Sequence, residues 1–171
     1  MIQKNQLILL ICILLIVPLI TVFVGLTKIS KKISTLTQNQ KVNRRERYQS
    51  KILQFSVEIP NYFHVQDESL TINFISSKGT ITIIRNGTNF NTLYDYIKEF
   101  DSRRRIKIVS TEKKSINGYE SIFRTIEFPA GKSTQRSDYI YINNWVYILS
   151  TSSKNLYSDL DQIAQSFKYS P

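Results

Sequence analysis

From Leu53 onward the chain alternates hydrophobic and polar positions with period two. Phe55, Val57 and Ile59 interleave with Gln54, Ser56 and Glu58, the pattern of a half-buried strand that stops at Pro60. Leu70, Ile72 and Phe74 repeat it, and Ser77-Lys78-Gly79 turns the chain into the strand Thr80–Ile84, which Asn86-Gly87 breaks. The period then changes. Leu93, Tyr96, Ile97 and Phe100 fall at helical spacing, with Asn91 or Thr92 available to cap the start. Strands are predicted at Ile106–Thr111, Tyr119–Phe128, Ser137–Ile142 and Trp145–Thr151. Asn117-Gly118 is a turn, and Asn143-Asn144 forms a two-residue hairpin whose side chains tolerate positive φ. Leu156, Leu160, Ile163 and Phe167 mark a closing helix. The order β-β-β-α-β-β-β-β-α, joined by hairpins, predicts an α+β fold: a twisted antiparallel sheet of six to seven strands covered by two helices.

Upstream the periodicity disappears. Residues 7–26, LILLICILLIVPLITVFVGL, contain no charge, and as a helix they span about 30 Å, the hydrocarbon thickness of a bilayer. The sequence therefore predicts one transmembrane helix. Pro18 is tolerable there. A cleavable signal is disfavoured by the length of the run and by the bulky Phe23, Val24 and Leu26 where small residues would be needed. Cys12 reads as a small apolar side chain. Leu26, Ile29, Ile33 and Leu36 continue at spacings of three and four, a short stripe that permits weak self-association through a stalk. The expected organisation is a flank at 1–6, the span at 7–26, a basic stalk or linker at 27–51 and the α+β domain at 52–171.

Charge sharpens this division. The chain has 23 Lys and Arg against 13 Asp and Glu, a net of +10. Residues 28–51 hold eight basic side chains, Lys28, Lys31, Lys32, Lys41, Arg44, Arg45, Arg47 and Lys51, against Glu46, while 52–171 hold 14 basic and 12 acidic ones. A nucleic-acid-reading domain carries its own basic face, so nucleic acid is not an expected partner. One His and one Cys exclude Cys/His zinc or iron–sulfur clusters and a disulfide scaffold. The lysines and arginines beyond the span favour a cytoplasmic position for the C-terminal domain.

Several spacings further suggest a family. The opening Phe55-Ser56-Val57-Glu58-Ile59-Pro60 strand is followed by Asn61-Tyr62-Phe63. Ile116-Asn117-Gly118-Tyr119-Glu120, the hairpin through Trp145 and the closing Ile163-Ala164-Gln165-Ser166-Phe167-Lys168 come later. Over about 52–170 this layout resembles the PsbP-like fold family, which includes PsbP of photosystem II and a nuclear Ran-binding factor. The resemblance implies a non-enzymatic binding or assembly module without a cofactor, held outside the cytoplasm on its anchor. Fold alone does not transfer function.

The candidate chemistry is sparse. His64 has no nucleophile or orienting partner in a recognisable motif, and no Gly-x-Ser-x-Gly occurs. Asp67-Glu68 and Asp159-x-Asp161 lack the alternating oxygen ligands and turning Gly of a calcium loop and read as surface carboxylates. Ser152-Ser153 and Ser133-Thr134 have no base beside them. Gly131-Lys132-Ser133 lacks the earlier Gly of a phosphate loop, since Ile126 stands there. Asn86-Gly87-Thr88 matches a glycosylation triplet. Tyr139, Tyr141 and Tyr147 alternate with Ile140, Ile142 and Ile148, suggesting one aromatic and one aliphatic face.

The contact residues expected for a protein or lipid partner are basic: Arg103, Arg104 and Arg105 closing the first helix, and Lys28, Lys31, Lys32, Arg44, Arg45 and Arg47 near the membrane. The leading expectation is a single-pass envelope protein that presents a binding module to the membrane and to another envelope protein. A cytoplasm-facing adaptor for an acidic partner or anionic lipid is the alternative. A pilin-like secretion subunit is disfavoured by the absence of a Glu in the first turns of the apolar run, and an anchored hydrolase by the scarcity of catalytic groups.

Overall fold

The computed structural model describes residues 44–103, 106–128 and 133–171. They build ten strands and two α-helices: β1 Arg45–Ser50, β2 Phe55–Pro60, β3 His64–Glu68, β4 Thr71–Ser76, β5 Gly79–Gly87, α1 Leu93–Ser102, β6 Lys107–Ile116, β7 Tyr119–Phe128, β8 Ser133–Ile142, β9 Trp145–Thr151, α2 Tyr157–Gln165 and β10 Lys168–Tyr169. A 3-10 turn at Lys154–Leu156 leads into α2. The predicted span 7–26, most of the stalk, and Lys28, Lys31, Lys32, Arg104 and Arg105 lie outside the described residues. Among the described residues no helix is long and apolar enough to cross a membrane.

All pairings are antiparallel. Seven strands run β3-β4-β5-β9-β8-β7-β6, and three more form a second sheet, β1-β2-β10. The α+β expectation holds at this level, with two sheets in place of one. The large sheet has a core on each face, because successive strand residues point to opposite sides. On one face Leu93 and Ile97 of α1 pack on Ile122, Tyr139, Val146 and Ile148. On the other, Phe55, Val57 and Ile59 of β2 and Leu160, Ile163 and Ala164 of α2 pack on Ile72, Phe74, Ile83, Ile140, Tyr147 and Leu149. Phe167 stacks on Phe55, centroids 5.5 Å apart, and tilts against Tyr147 at 5.0 Å. Burial of such aromatic side chains supplies much of the driving force for folding.

Local signals set the connections. Asn143 and Asn144 have φ of 49° and 62°, as a primed hairpin turn requires, and Asn117 and Gly118 take φ of 49° and 86°. The Thr92 hydroxyl accepts from the Asp95 N–H at 3.1 Å and donates to the Asp95 carboxylate at 2.7 Å, which fixes the start of α1. At Gly79, φ is +130° and an added Cβ would lie 2.8 Å from Ser153 Cβ, so glycine is required where β5 begins.

Three expectations are corrected. Arg45–Ser50 is not linker: it pairs along the whole of β2, from Arg45 opposite Pro60 to Ser50 opposite Phe55. Its one large apolar side chain, Tyr48, lies edge-on to Phe74 at 5.5 Å and donates its hydroxyl to Asp67 at 2.6 Å. The strand Thr80–Ile84 continues through Asn86 to Gly87, because Asn86 and Gly87 pair with Val146 and Trp145. The three tyrosines do not all share a face either: Tyr147 lies on the opposite face to Tyr139 and Tyr141. Tyr139 lies opposite Ile148, Ile140 opposite Tyr147, and Tyr141 opposite Val146. Directly opposed residues point the same way, so this register mixes aromatic and aliphatic side chains on both faces.

Candidate functional site

Helix α1 brings together the richest set of exposed groups. Its apolar stripe buries Leu93 and Ile97, which turns Tyr96, Glu99 and Phe100 toward the loop that follows β5. The result is an open cleft of about 650 Å3 lined by Asn86, Phe90, Tyr96, Glu99, Phe100 and Arg103. The Asn86 amide donates to the Tyr96 hydroxyl at 3.0 Å, so the side chain of the glycosylation triplet is already engaged within the fold. The Tyr141 hydroxyl donates to the Phe90 carbonyl at 2.9 Å and anchors the loop. Aromatic walls with two amides, Asn86 and Asn89, one carboxylate and one guanidinium suit binding. His64, the chain's single imidazole, stands exposed on β3 instead.

Arg103 is where the sequence put it, at the end of α1. Its Nε donates to Glu99 Oε1 at 2.6 Å one turn earlier, with the arginine side chain 76% exposed. An ion pair so wet is worth little, and its guanidinium remains available to a partner. The neighbouring Asp101 has a different task. A carboxylate in the last turn opposes the helix dipole, and Asp101 is offset by Arg124 of β7, whose two Nη atoms reach its two oxygens at 2.9 and 2.7 Å. Arg124 is 1% exposed, so this forked pair bolts the helix end to the sheet.

Four of the basic contact candidates, Arg44, Arg45, Arg47 and Arg103, fall among the described residues. Arg45 and Arg47 lie on β1, in the layer on the opposite side of the large sheet from α1. Arg45 donates to Gln162 of α2, and Arg47 donates to the Ser56 hydroxyl at 3.1 Å. Both therefore tie strand to fold. Arg44 is exposed just before β1.

A second polar group, missed in the sequence, lies between α2 and the sheet. Arg136 of β8 donates from Nη2 to both oxygens of Asp161 at 2.8 Å, and its guanidinium lies 4.2 Å from the Phe123 ring centroid and 5.0 Å from that of Tyr157. Asp138, two residues on and 3% exposed, has its carboxyl pushed up to about 7. Burial is the main cause; repulsion from Asp161 adds to it, and attraction to Lys114 and Arg136 opposes it. The Asp161 carboxyl is raised as well, again chiefly by burial. Ser121 Oγ, Arg136 Nε and the Tyr157 hydroxyl are buried without a hydrogen-bond partner. The arrangement holds a proton near neutrality and can couple the seating of α2 to pH. The signal for it was a lone carboxylate inside the strand Ser137–Ile142.

The remaining candidates stay apart. Asp67 accepts from Tyr48, Asp159 pairs with Lys78 at 3.8 Å, and Asp161 is held by Arg136. Ser153 donates its hydroxyl to the Lys78 carbonyl at 2.6 Å. Among the described residues no three His, Cys, Asp or Glu side chains converge closely enough to hold a metal ion.

No family model matches the chain, and neither does any curated protein. Solved structures do. Cyanobacterial PsbP (CyanoP) from Synechocystis sp. PCC 6803 superposes with a TM-score of 0.54 at 13% identity, over 73% of this chain and 92% of that one. The fold is PsbP-like. A Bacteroides thetaiotaomicron protein superposes with a TM-score of 0.53 at 14% identity, over 74% of this chain and 48% of its own. At such identities the likeness concerns backbone architecture alone.

Proposed function

We propose that this chain is a single-pass, membrane-anchored, non-enzymatic module whose PsbP-like domain binds or assembles with another protein at the cell envelope. One observation carries the reading: a PsbP-like domain follows an uncharged run of twenty residues. Tyrosine and arginine, the residues that line the α1 cleft and its surroundings, are the types enriched at protein interfaces. The cytoplasm-facing adaptor remains the second reading, because the eight basic residues of 28–51 face only Glu46.

The test separates the two sides of the membrane. A Cys12→Ala chain carrying Ser133→Cys, an exposed position at the start of β8, is treated in intact cells with a membrane-impermeant maleimide. Labelling before lysis supports the envelope reading. Labelling only after lysis refutes it and leaves the adaptor.

A further inference from the structure

Strand β6 closes the large sheet, and among the described residues it has a neighbour on its β7 side alone. From Lys107 to Lys113 every residue is exposed. A free edge ten residues long offers its backbone donors and acceptors to another strand, and natural proteins shorten or cover such edges unless they use them. Beside this edge runs a groove of about 300 Å3 between β6 and α1, with Ile97 and Ile122 in its floor and Tyr94 and Ile108 in its walls. Seven large hydrophobic side chains are exposed among the described residues; two of them, Tyr94 and Ile108, line this groove, and a third, Val109, follows Ile108 on the edge strand. The β-bulge between Ile108 and Ser110 is the one irregularity in the β6–β7 ladder.

Charge selects the occupant. Lys98 of α1 and Lys113 of β6 line the groove, both exposed; Lys113 lies over the Tyr94 ring at 5.6 Å, and neither forms a salt bridge among the described residues. The other ionic groups of the groove, Asp101 and Arg124, are spent on each other. A second copy fits poorly, since its β6 carries Lys107, Lys113 and Lys114 against Glu112 alone and would bring a positive strand to positive lysines. Residues 1–43 fit no better, because they contain no acidic side chain.

We propose that β6 is a docking edge for an extended acidic segment of another protein, which adds as an eighth strand. Its alternate side chains cover the groove between α1 and β6, apolar ones against Ile108 and Tyr94 and carboxylates against Lys98 and Lys113. Main-chain pairing supplies affinity, and the groove supplies specificity. The inference rests on the binding-module reading for the partner being a protein. Its test is independent of membrane side, so its failure leaves that reading standing.

The full chain in nonionic detergent is titrated into a fluorescein-labelled peptide that repeats Val-Thr-Glu-Thr, so that Val and Glu follow each other on one face of the strand, and binding is read by fluorescence anisotropy. Saturable binding is expected. It weakens at least about tenfold in Lys98→Glu/Lys113→Glu, and that variant takes instead the Val-Lys peptide, in which Lys replaces every Glu. Binding is abolished when every backbone nitrogen of the peptide is methylated, since pairing is then impossible. Both lysines are exposed, and an unchanged circular dichroism spectrum shows that the variant folds. The proposal is overturned by no saturation up to about 1 mM, by equal binding of the Val-Lys peptide to the unaltered chain, or by undiminished binding of the methylated peptide. It is overturned also by sedimentation showing a dimer that the double variant dissociates, which would give this edge to a second copy.

Discussion

Replacing Asp138 with asparagine should stabilise the domain at alkaline pH and flatten its response to pH. The carboxyl sits near 7 in the folded protein against an ordinary value near 3.8. The folded state therefore holds this proton more tightly than the unfolded chain does. The contribution is fully favourable below about pH 4, is lost as pH rises toward 7 and is constant above. At about 1.4 kcal/mol per pH unit, the gap corresponds to about 4 kcal/mol against the folded state at pH 8. Asp138 is 3% exposed, so little solvent screening reduces this figure. Asn keeps the shape and cannot ionise. Facing it are Asp161 of α2, Arg136 of β8, and Lys114 and Glu112 of β6. Urea unfolding of residues 44–171 at pH 5 and pH 8 tests the reasoning. The variant should gain roughly 2 M in midpoint at pH 8 and less than half of that at pH 5. A variant less stable than the parent at pH 8 would refute it, since that would mean Lys114 and Arg136 more than offset the burial of the charge.

Three further outcomes are expected. Asp101→Asn should cost about 2–4 kcal/mol in the same assay by leaving the buried Arg124 charge uncompensated, whereas Arg124→Met with Asp101→Leu should recover most of it. Gly79→Ala should cost about 1–3 kcal/mol, because it combines a φ of +130° with a 2.8 Å approach to Ser153; a thermal midpoint within a degree of the parent would contradict this. A fragment beginning at residue 52 should aggregate or run as a larger species on gel filtration, while one beginning at 44 stays monomeric, since only the longer one keeps β1 on the edge of β2.

Sequence pattern reached the strands with two or more alternating apolar residues. Tyr119–Phe128 and Trp145–Thr151 were located to the residue, and Leu93 and Ile97 identified the buried stripe of α1. It failed where a strand carries one. β1 has only Tyr48 and β3 only Val65 as large apolar side chains, and both lie at sheet edges with one side toward water. Their place depends on partners distant in sequence, such as Asp67 for Tyr48 and Gln162 for Arg45. The candidate site was legible in part for the same reason. Arg103 announced itself as a charge run, but the cleft needs the β5 loop folded over α1, and the buried Asp138 needs α2 laid across β8. Neither contact leaves a periodicity.

The antiparallel joint between β1 and β2 also sets how the domain bears a pull. Tension arriving through the chain enters at Arg45, and six residue pairs, from Arg45–Pro60 to Ser50–Phe55, lie between that point and the hairpin turn. A force along β1 loads all six in parallel, as in a lap joint, and none can yield alone. A force directed away from β2 opens the same seam one pair at a time, beginning at Arg45. The strand that looked like slack in the sequence is thus the seam through which any stretch of the preceding chain reaches the fold, strong lengthwise and weak when peeled. Single-molecule stretching from residue 44, with the second handle placed to pull along or across β1, should give clearly different rupture forces; equal forces would mean that the seam does not carry the load.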